Sequence, residues 1–474
     1  MSVERFGLYI DGRWVDTEKR LSVVDKYRNE PFAEIGLASP EQVSQAIAAA
    51  QRAWRDHPLP PQERFRILSR TSVLLGEHID DLAATIAREG GKPLKLARGE
   101  VQRAMQTFQV AAEEAKRITG EIVPVDAAPG AENRFAFTLR VPVGVVAAIS
   151  PFNFPLNLVA HKVAPAIAAG NAVVLKPASQ TPITAAKLCR LLEAAGLPAG
   201  FLNLVVGSGS TVGEQILQDP RIAFYTFTGS PGVGERLRQA IGLRRATLEL
   251  GSNSATIVHL DADLDKAASR CASAAFAHAG QVCISLQRLL VHEQVWDAFL
   301  SRFLDRVREL KVGDPMDPAT DVGPMISEAE AERATAWIEE AKQQGARVLL
   351  GGGRQGVVLE PTVLTDVQDQ MKVVCEEVFA PVVTLVPYKG LGEAIARVNS
   401  SKYGLQAGIF TTSISTAMEA ARKVEVGGVM INDTSSFRAD LMPYGGVKLS
   451  GNGREGPRYA IEEMTELKVV VMDL

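Results

Sequence analysis

Two periodicities divide the chain. From Pro40 onward, Val43, Ile47, Ala50 and Trp54 recur at helical spacing and form the apolar stripe of an amphipathic helix. Ser39-Pro40-Glu41-Gln42 is a capping box with proline in the first turn, and it marks where that helix starts. The opening segment therefore reads as a strand pair followed by helices. From Val143 the texture changes. Apolar runs at Val145–Ile149, Ala172–Leu175, Phe201–Val206 and Ala223–Phe227 alternate with helical stretches at Leu156–Ala169, Pro182–Ala195, Thr211–Leu217 and Val233–Ile241. Continuous apolar strands separated by helices predict a parallel sheet covered on both faces. The same pattern begins again at Ser254–Leu260.

Two segments break the pattern. Phe135-Ala136-Phe137-Thr138-Leu139 alternates like an exposed antiparallel strand, and Leu467–Met472 is a short apolar run close to the C-terminus. Left unpaired, such strands invite association, so both are expected to be oligomerisation elements covered by another subunit. The fold expected is α/β, with two doubly wound parallel-sheet domains and a small antiparallel oligomerisation element. Residues 1–118 and 142–249 form a Rossmann-like unit, residues 250–448 a second unit, and residues 119–141 and 449–474 the oligomerisation element.

Composition narrows the function classes. The chain has 474 residues, of which 46% are hydrophobic and 22% charged, so a large core is expected and disorder is not. Net charge is −4 and no basic block occurs, which argues against a nucleic-acid partner. Met1 to Trp14 lacks the basic-then-apolar layout of a signal peptide, and no apolar run is long enough for a bilayer, so no membrane partner is expected. Cys189, Cys271, Cys283 and Cys375 are scattered, without the spacing of a metal site or a disulfide framework. A cytoplasmic, reducing location and no bound metal are the expectation.

Candidate chemistry gathers around Gly280-Gln281-Val282-Cys283 and Leu248-Glu249-Leu250-Gly251. A cysteine among small and apolar neighbours, with a separate carboxylate, suits attack on a carbonyl carbon and later activation of water against a thioester. Parallel sheets bind ligands at the carboxyl ends of their strands. Four segments fall at such ends: Ser150-Pro151-Phe152-Asn153-Phe154-Pro155, Lys176-Pro177-Ala178-Ser179, Val206-Gly207-Ser208-Gly209 and Phe227-Thr228-Gly229-Ser230. The last leads into a helix with Pro231 in its first turn, where free N–H groups favour a phosphate. The glycine-rich segment departs from G-x-G-x-x-G, since Gly213 falls one residue late.

Six motifs stand in one order: Pro151-Phe152-Asn153-Phe154-Pro155, Lys176-Pro177, Phe227-Thr228-Gly229-Ser230, Glu249-Leu250-Gly251, Gly280-Gln281-x-Cys283 and Glu376-Glu377-Val378-Phe379-x-Pro381. With these the chain resembles the NAD(P)-dependent aldehyde dehydrogenase superfamily over essentially its whole length. The resemblance implies that Cys283 attacks an aldehyde, that Asn153 and the Cys283 main-chain N–H hold the oxyanion, and that Glu249 activates the hydrolytic water. It further implies that Lys176 and Glu377 grip ribose hydroxyls, that Phe379 packs near the nicotinamide, and that Gly209, Gly229 and Ser230 line the cofactor site. Taken singly, each residue has a plainer reading. Asn153 suits a helix cap, Lys176 a solvated cation, Glu249 an ion pair with Arg244 or Arg245, Glu377 a surface charge and Phe379 core packing.

Departures from the family pattern shape the rest. Ser179 stands where many NAD-preferring members carry glutamate, so NAD or NADP is expected, with NADP favoured. His161 and Arg438 stand where members acting on apolar aldehydes place aromatic residues, and Arg103 adds charge nearby. A guanidinium at the mouth of an apolar tunnel suits an anionic tail; an ion pair from Arg438 to Asp440 or Asp433 is the competing reading. Val282 stands where members oxidising glyceraldehyde 3-phosphate have arginine, which argues against phosphorylated trioses, and Ser285 removes a second cysteine seen in some succinate semialdehyde enzymes. The expected activity is oxidation of a small aldehyde with an anionic or hydroxylated tail (semialdehyde-, lactaldehyde- or sulfo/phosphono-aldehyde-like) by a homodimer or homotetramer. The alternatives are coenzyme A acylation, against which Glu249 argues, and a non-catalytic relative of the fold.

Overall fold

Apolar strands need cover on both faces, and the chain builds that arrangement twice. In the computed structural model residues 3–474 are described; Met1 and Ser2, the start of the alternating N-terminal stretch, lie outside them. The first sheet has eight strands. Its parallel centre runs Arg245–Glu249, Ile222–Thr228, Val145–Ile149, Ala172–Lys176, Leu202–Leu204 in spatial order. Gly451–Asn452 adds an antiparallel strand at one edge, and Leu8–Ile10 with Arg13–Val15 close the other. Because the chain leaves Val145–Ile149 first toward one edge and later returns to its opposite side, a crevice opens between Val145–Ile149 and Ile222–Thr228. Such a reversal of strand order is where open α/β sheets bind ligands. In register, Ile149 lies opposite both Lys176 and Phe227, and Thr228 lies opposite Glu249. Four of the sequence motifs therefore leave the sheet at one edge.

The second sheet runs Arg347–Leu350, Thr362–Thr365, Val382–Tyr388, Arg288–His292, Ala255–Val258, Gln406–Phe410, Gly428–Ile431, with only the first strand antiparallel. Each sheet has its own apolar core, one around Val146, Val173 and Leu204, the other around Leu289, Phe303 and Val383. The capping box holds as expected: Gln42 N–H donates to Ser39 Oγ at 3.3 Å and Ser39 N–H to Gln42 Oε1 at 2.9 Å. The expected helix at Thr211–Leu217 begins instead with a π-helical turn, Gly209–Gly213, closed by Gly213 N–H on Ser208 O at 3.1 Å, before helix Glu214–Gln218.

The two segments read as unpaired strands are each other's partner. Thr465–Asp473 lies antiparallel to Arg134–Pro142 from Thr465↔Pro142 to Asp473↔Arg134, and Ile122–Val123 completes a three-stranded sheet. The alternation of Phe135–Leu139 and the apolar run Leu467–Met472 marked both as strands, but nothing local reports a pairing between segments more than three hundred residues apart. Only the end of the expected 449–474 segment joins this sheet, since Gly451–Asn452 belongs to the first. Strand Thr465–Asp473 forms one edge of the small sheet, with Leu467, Val469 and Val471 exposed along it.

Helix Asn157–Ala168, which follows the Asn153 motif, is buried at every position, including His161 and Lys162. A helix buried all round needs its orphan N–H groups satisfied from within the protein. Glu100, on helix Leu94–Ala115, does this: its Oε1 accepts Leu156 N–H at 2.9 Å and Asn157 N–H at 3.1 Å. Lys92 donates to the other oxygen, so the buried carboxylate has a buried counter-ion.

Candidate active site

Cys283 sits at the end of a segment with unusual backbone geometry. His278, Ala279 and Gly280 all have positive φ, at 52°, 52° and 68°. Left-handed conformations at non-glycine residues are costly and persist only where surrounding structure enforces them. Here the enforcement comes from the second sheet. A Cβ on Gly280 would lie 2.0 Å from Ala380 O, so only glycine lets the nucleophile loop approach the Phe379–Pro381 segment. Gln281 fixes the loop further, its Nε2 donating to His278 O at 3.2 Å and its Oε1 accepting Ile326 N–H at 2.8 Å.

The residues read as catalytic from sequence converge. Asn153 is buried and does not cap the following helix; its Nδ2 donates to Gln281 O at 2.9 Å, two residues from the cysteine. One N–H of that amide therefore remains for a ligand. Glu249 ends strand Arg245–Glu249, is 3% exposed, and neither of its oxygens has a hydrogen-bond partner. The ion pair anticipated with Arg244 or Arg245 does not form. Arg244 binds the carbonyls of Leu217, Asp219 and Ile241, while Arg245 turns to Glu463 and Glu466. Burial, reinforced by the nearby Glu455 charge, holds the Glu249 carboxyl well above the ordinary carboxylate range. Burial likewise pushes the Cys283 thiol up to about 11, opposed by the Tyr444 hydroxyl and Arg438. The Tyr444 hydroxyl lies 2.9 Å from Cys283 Sγ.

Around this pair lies an ion cluster that sequence reading caught only in part. Arg438 was expected near a tunnel mouth or paired with Asp440 or Asp433. It is buried instead, with Nη2 on Glu455 Oε2 at 2.9 Å, and Asp440 lies farther off at 3.9 Å. Its guanidinium stacks on Tyr444, 3.7 Å from the ring centre. Glu455 also accepts Lys162 Nζ at 2.9 Å, and Lys162 donates to Thr228 Oγ1 at 2.6 Å. Asp440 accepts Arg103 through Nε and Nη2 at 2.9 and 2.8 Å, Asn157 Nδ2 at 2.9 Å, and lies 2.8 Å from His161 Nε2. His161 is thus fully buried against Asp440 and does not face a tunnel mouth. Burial, then the Arg438 charge, keeps the imidazole's pKa below its usual value. Despite burial, its hydrogen bonds to His161 and Arg103 hold Asp440 well below the carboxylate range.

The residues read as cofactor-binding lie along the crevice. Lys176 ends its strand buried, without an acidic partner, its Nζ reaching only Pro177 O at 3.5 Å, and burial lowers it to about 8. Glu377 is reached across the two sheets: Ser252 N–H donates to its Oε1 at 2.9 Å, and burial raises its pKa to about 7. A Cβ on Gly251 would meet the Glu377 carboxylate at 2.2 Å, which explains the glycine of the Glu249-Leu250-Gly251 motif. Phe379 has φ of 50° and packs edge-on to Phe152, ring centres 5.8 Å apart. Gly229 N–H donates to Glu249 O at 3.1 Å, tying the two motifs together, and Ser230 starts helix Pro231–Ala240 without a side-chain cap of its own. Ser179 Oγ donates to Gly207 O at 3.0 Å, and Gly209 opens the π-helical turn. A buried lysine without a counter-ion, the Glu377 carboxylate and an uncapped helix start fit a dinucleotide. Among the described residues no group of three or more His, Cys, Asp or Glu side chains is placed to hold a metal.

Sequence reading missed Tyr444, Lys162 and Glu455, and named Asp440 only as a possible partner of Arg438, a contact present at 3.9 Å. Lys162 carried a signal, as a cation inside an otherwise apolar helix, whereas Glu455 and Asp440 look like ordinary loop charges until the fold brings them inside.

Comparison with known proteins agrees with this geometry. The model of the Aldehyde dehydrogenase family matches residues 14–470. A 3-sulfolactaldehyde dehydrogenase of Priestia aryabhattai is 52% identical over 472 residues, covering 100% of this chain and 99% of that protein. The crystal structure of aldehyde dehydrogenase 21 from Physcomitrella patens with the reaction product succinate superposes with a TM-score of 0.97 at 40% identity, covering 100% of this chain and 99% of the other. A glyceraldehyde-3-phosphate dehydrogenase of Methanocaldococcus jannaschii complexed with NADP superposes at 0.93 with 40% identity, covering 97% of this chain and 100% of the other.

Burial of Glu249 has a consequence for stability. With its folded pKa raised, the unfolded chain loses this proton first as pH rises, so the residue costs nothing in acid and progressively destabilises the fold above the ordinary carboxylate pKa. Glu249→Gln should therefore stabilise the protein by at least about 1 kcal/mol at about pH 7.5 and by nearly nothing at about pH 4. Paired denaturant titrations measure this; a gain of equal size at both pH values contradicts the assignment.

Proposed function

The chain belongs to the aldehyde dehydrogenase family, and on that premise we propose that it oxidises a small aldehyde bearing an anionic tail to the carboxylic acid, with NAD or NADP and Cys283 as nucleophile. The observation that carries the substrate class is the charge balance beside Cys283. Arg103, Arg438 and Lys162 share two paired carboxylates, Asp440 and Glu455, and Glu249, whose proton burial retains, joins none of these pairs, so the cluster has capacity for an anionic ligand. Two relatives point the same way, since sulfolactaldehyde and succinate carry an anion, while the lactaldehyde dehydrogenases among the relatives mark a hydroxylated tail as the neutral counterpart. In this reading Arg438 and Arg103 draw the tail, and His161 acts behind them by orienting Asp440.

The chemistry follows from the residues at the centre. The Cys283 thiolate adds to the aldehyde carbon and forms a C–S bond, while the carbonyl oxygen becomes an alkoxide held by Asn153 Nδ2–H and the Cys283 main-chain N–H. Each donor of this kind commonly lowers a barrier by about 3 kcal/mol. Lys176 and Glu377 would hold the ribose hydroxyls of NAD or NADP, with Gly209, Gly229 and Ser230 lining its site and Phe379 packing near the nicotinamide, and the cofactor would supply the acceptor for the hydride the thiohemiacetal carbon gives up. Cys283 then holds a thioester. Glu249 takes a proton from water, the hydroxide adds to the acyl carbon, and the C–S bond breaks to return the thiolate and release the acid. The unpartnered oxygens of Glu249 suit this task, because burial raises its proton affinity and no hydrogen bond occupies them. They favour water over coenzyme A as the acceptor of the acyl group.

We also propose a second copy of this chain as partner. The exposed Leu467, Val469 and Val471 lie on an edge strand of nine residues, a surface that a further strand or apolar face would cover. Light scattering should give a dimer or tetramer that Val469→Lys dissociates; a monomeric wild type contradicts this.

The substrate assignment is tested by following reduced-cofactor formation with anionic and neutral short aldehydes. Anionic substrates should exceed neutral ones by at least about tenfold in kcat/KM, and Arg438→Gln should raise KM for the anionic set by a similar factor more than it does for the neutral set. Equal kcat/KM across the panel contradicts the assignment.

A further inference from the structure

The residue nearest the nucleophile's sulfur among its hydrogen-bond partners is Tyr444, and the mechanism above does not use it. Its hydroxyl has one partner, Cys283 Sγ at 2.9 Å, and the ring is buried. A buried phenol whose only partner is a weak one needs a reason to be where it is. Everything around Tyr444 fixes it. Its main chain is bonded to Glu455 in both directions, Tyr444 N–H to Glu455 O at 3.1 Å and Glu455 N–H to Tyr444 O at 2.7 Å. The Arg438 guanidinium lies 3.7 Å from the ring centre and is itself held by Glu455. The next residue, Gly445, leaves room for Glu249, since a Cβ there would come within 2.8 Å of Glu249 Oε1. One short segment thus touches the nucleophile, the base and the anion-binding arginine.

We propose that the Tyr444 O–H is the hydrogen-bond donor that stabilises and aims the Cys283 thiolate, making Tyr444 a further catalytic residue. The inference rests on Cys283 being the nucleophile, as proposed above. Ionisation removes the only proton the thiol can donate, so the sulfur becomes purely an acceptor and the phenol must be the donor. The phenol is suited to stay protonated, because burial raises its pKa far above the ordinary tyrosine value. A cation on the ring face withdraws electron density and strengthens the O–H as a donor. Burial penalises the Cys283 thiolate, and the Tyr444 hydroxyl is the first contribution acting against that penalty. When the thiolate attacks, its charge passes to the new C–S bond and the alkoxide, and the Tyr444 bond weakens without any proton changing hands. The thiolate regained after hydrolysis is received by the same donor.

The test reads the sulfur directly. Wild type and Tyr444→Phe, as full-length protein without substrate or cofactor, are treated with iodoacetamide across a pH series, and the Cys283 peptide is quantified by mass spectrometry. The substitution removes a single oxygen, and thermal melting checks that the fold is kept. The alkylation midpoint should rise by about one pH unit, with about tenfold slower labelling near neutrality. A superimposable profile overturns the proposal. In unmutated protein carrying fluorotyrosine, one of the seven tyrosine resonances should shift when Cys283 is alkylated, and no shift in any of them overturns it equally. Failure of the parent reading shows itself elsewhere, as full turnover by Cys283→Ala, which neither labelling outcome mimics.

Discussion

Two carboxylates, Asp440 and Glu455, hold the site together by pairing with the buried Lys162 and Arg438 and the part-exposed Arg103. Glu455 binds Lys162 from a buried helix and Arg438 from a loop, while Asp440 binds Arg103 from a third element. Charges so far from water are tolerable only when matched, and losing one partner of a buried pair commonly costs about 3–5 kcal/mol. Helix Asn157–Ala168, helix Leu94–Ala115 and the segment around Tyr444 therefore have little freedom relative to one another. The match is also incomplete by one positive charge. In the proposed reading, that excess is what draws an anionic tail to the site.

The second constraint is close approach between the sheets. Gly280 against Ala380, Gly251 against Glu377 and Gly445 against Glu249 are positions where a single methyl group would push backbone or a functional carboxylate aside. They explain why glycines accompany the reactive residues in three motifs. The left-handed His278 and Ala279 belong to the same constraint, since the loop must turn sharply to bring Cys283 beneath Asn153. Glu249 stands apart from both devices. It is buried without a hydrogen bond or ion pair, though near the charges of Arg438, Lys162 and Arg454, an arrangement that raises its proton affinity and costs stability.

Much of this was legible in the sequence, for identifiable reasons. Strands such as Val145–Ile149 and Ala172–Lys176 are buried on both faces and so appear as unbroken apolar runs, and the reactive motifs lie at their carboxyl ends because parallel sheets expose those ends together. Cys283, Glu249 and Asn153 were readable from local motifs, and the structure brings them into one pocket. Long-range pairing was not readable. The partnership of Thr465–Asp473 with Arg134–Pro142, and the burial of Asp440 and Glu455, depend on segments far apart in the chain. His161 and Arg438 were singled out correctly as departures, yet their places in the buried cluster follow from partners that no local pattern announces.

The account turns on a thioester at Cys283 that Glu249 resolves. The most direct measurement is the intact mass of Glu249→Gln after brief mixing with a short semialdehyde and NADP, followed by mapping of the modified peptide. An acyl adduct confined to Cys283, accumulating while acid release falls sharply, is the result the account predicts. Unmodified protein that still turns over at the wild-type rate would contradict it.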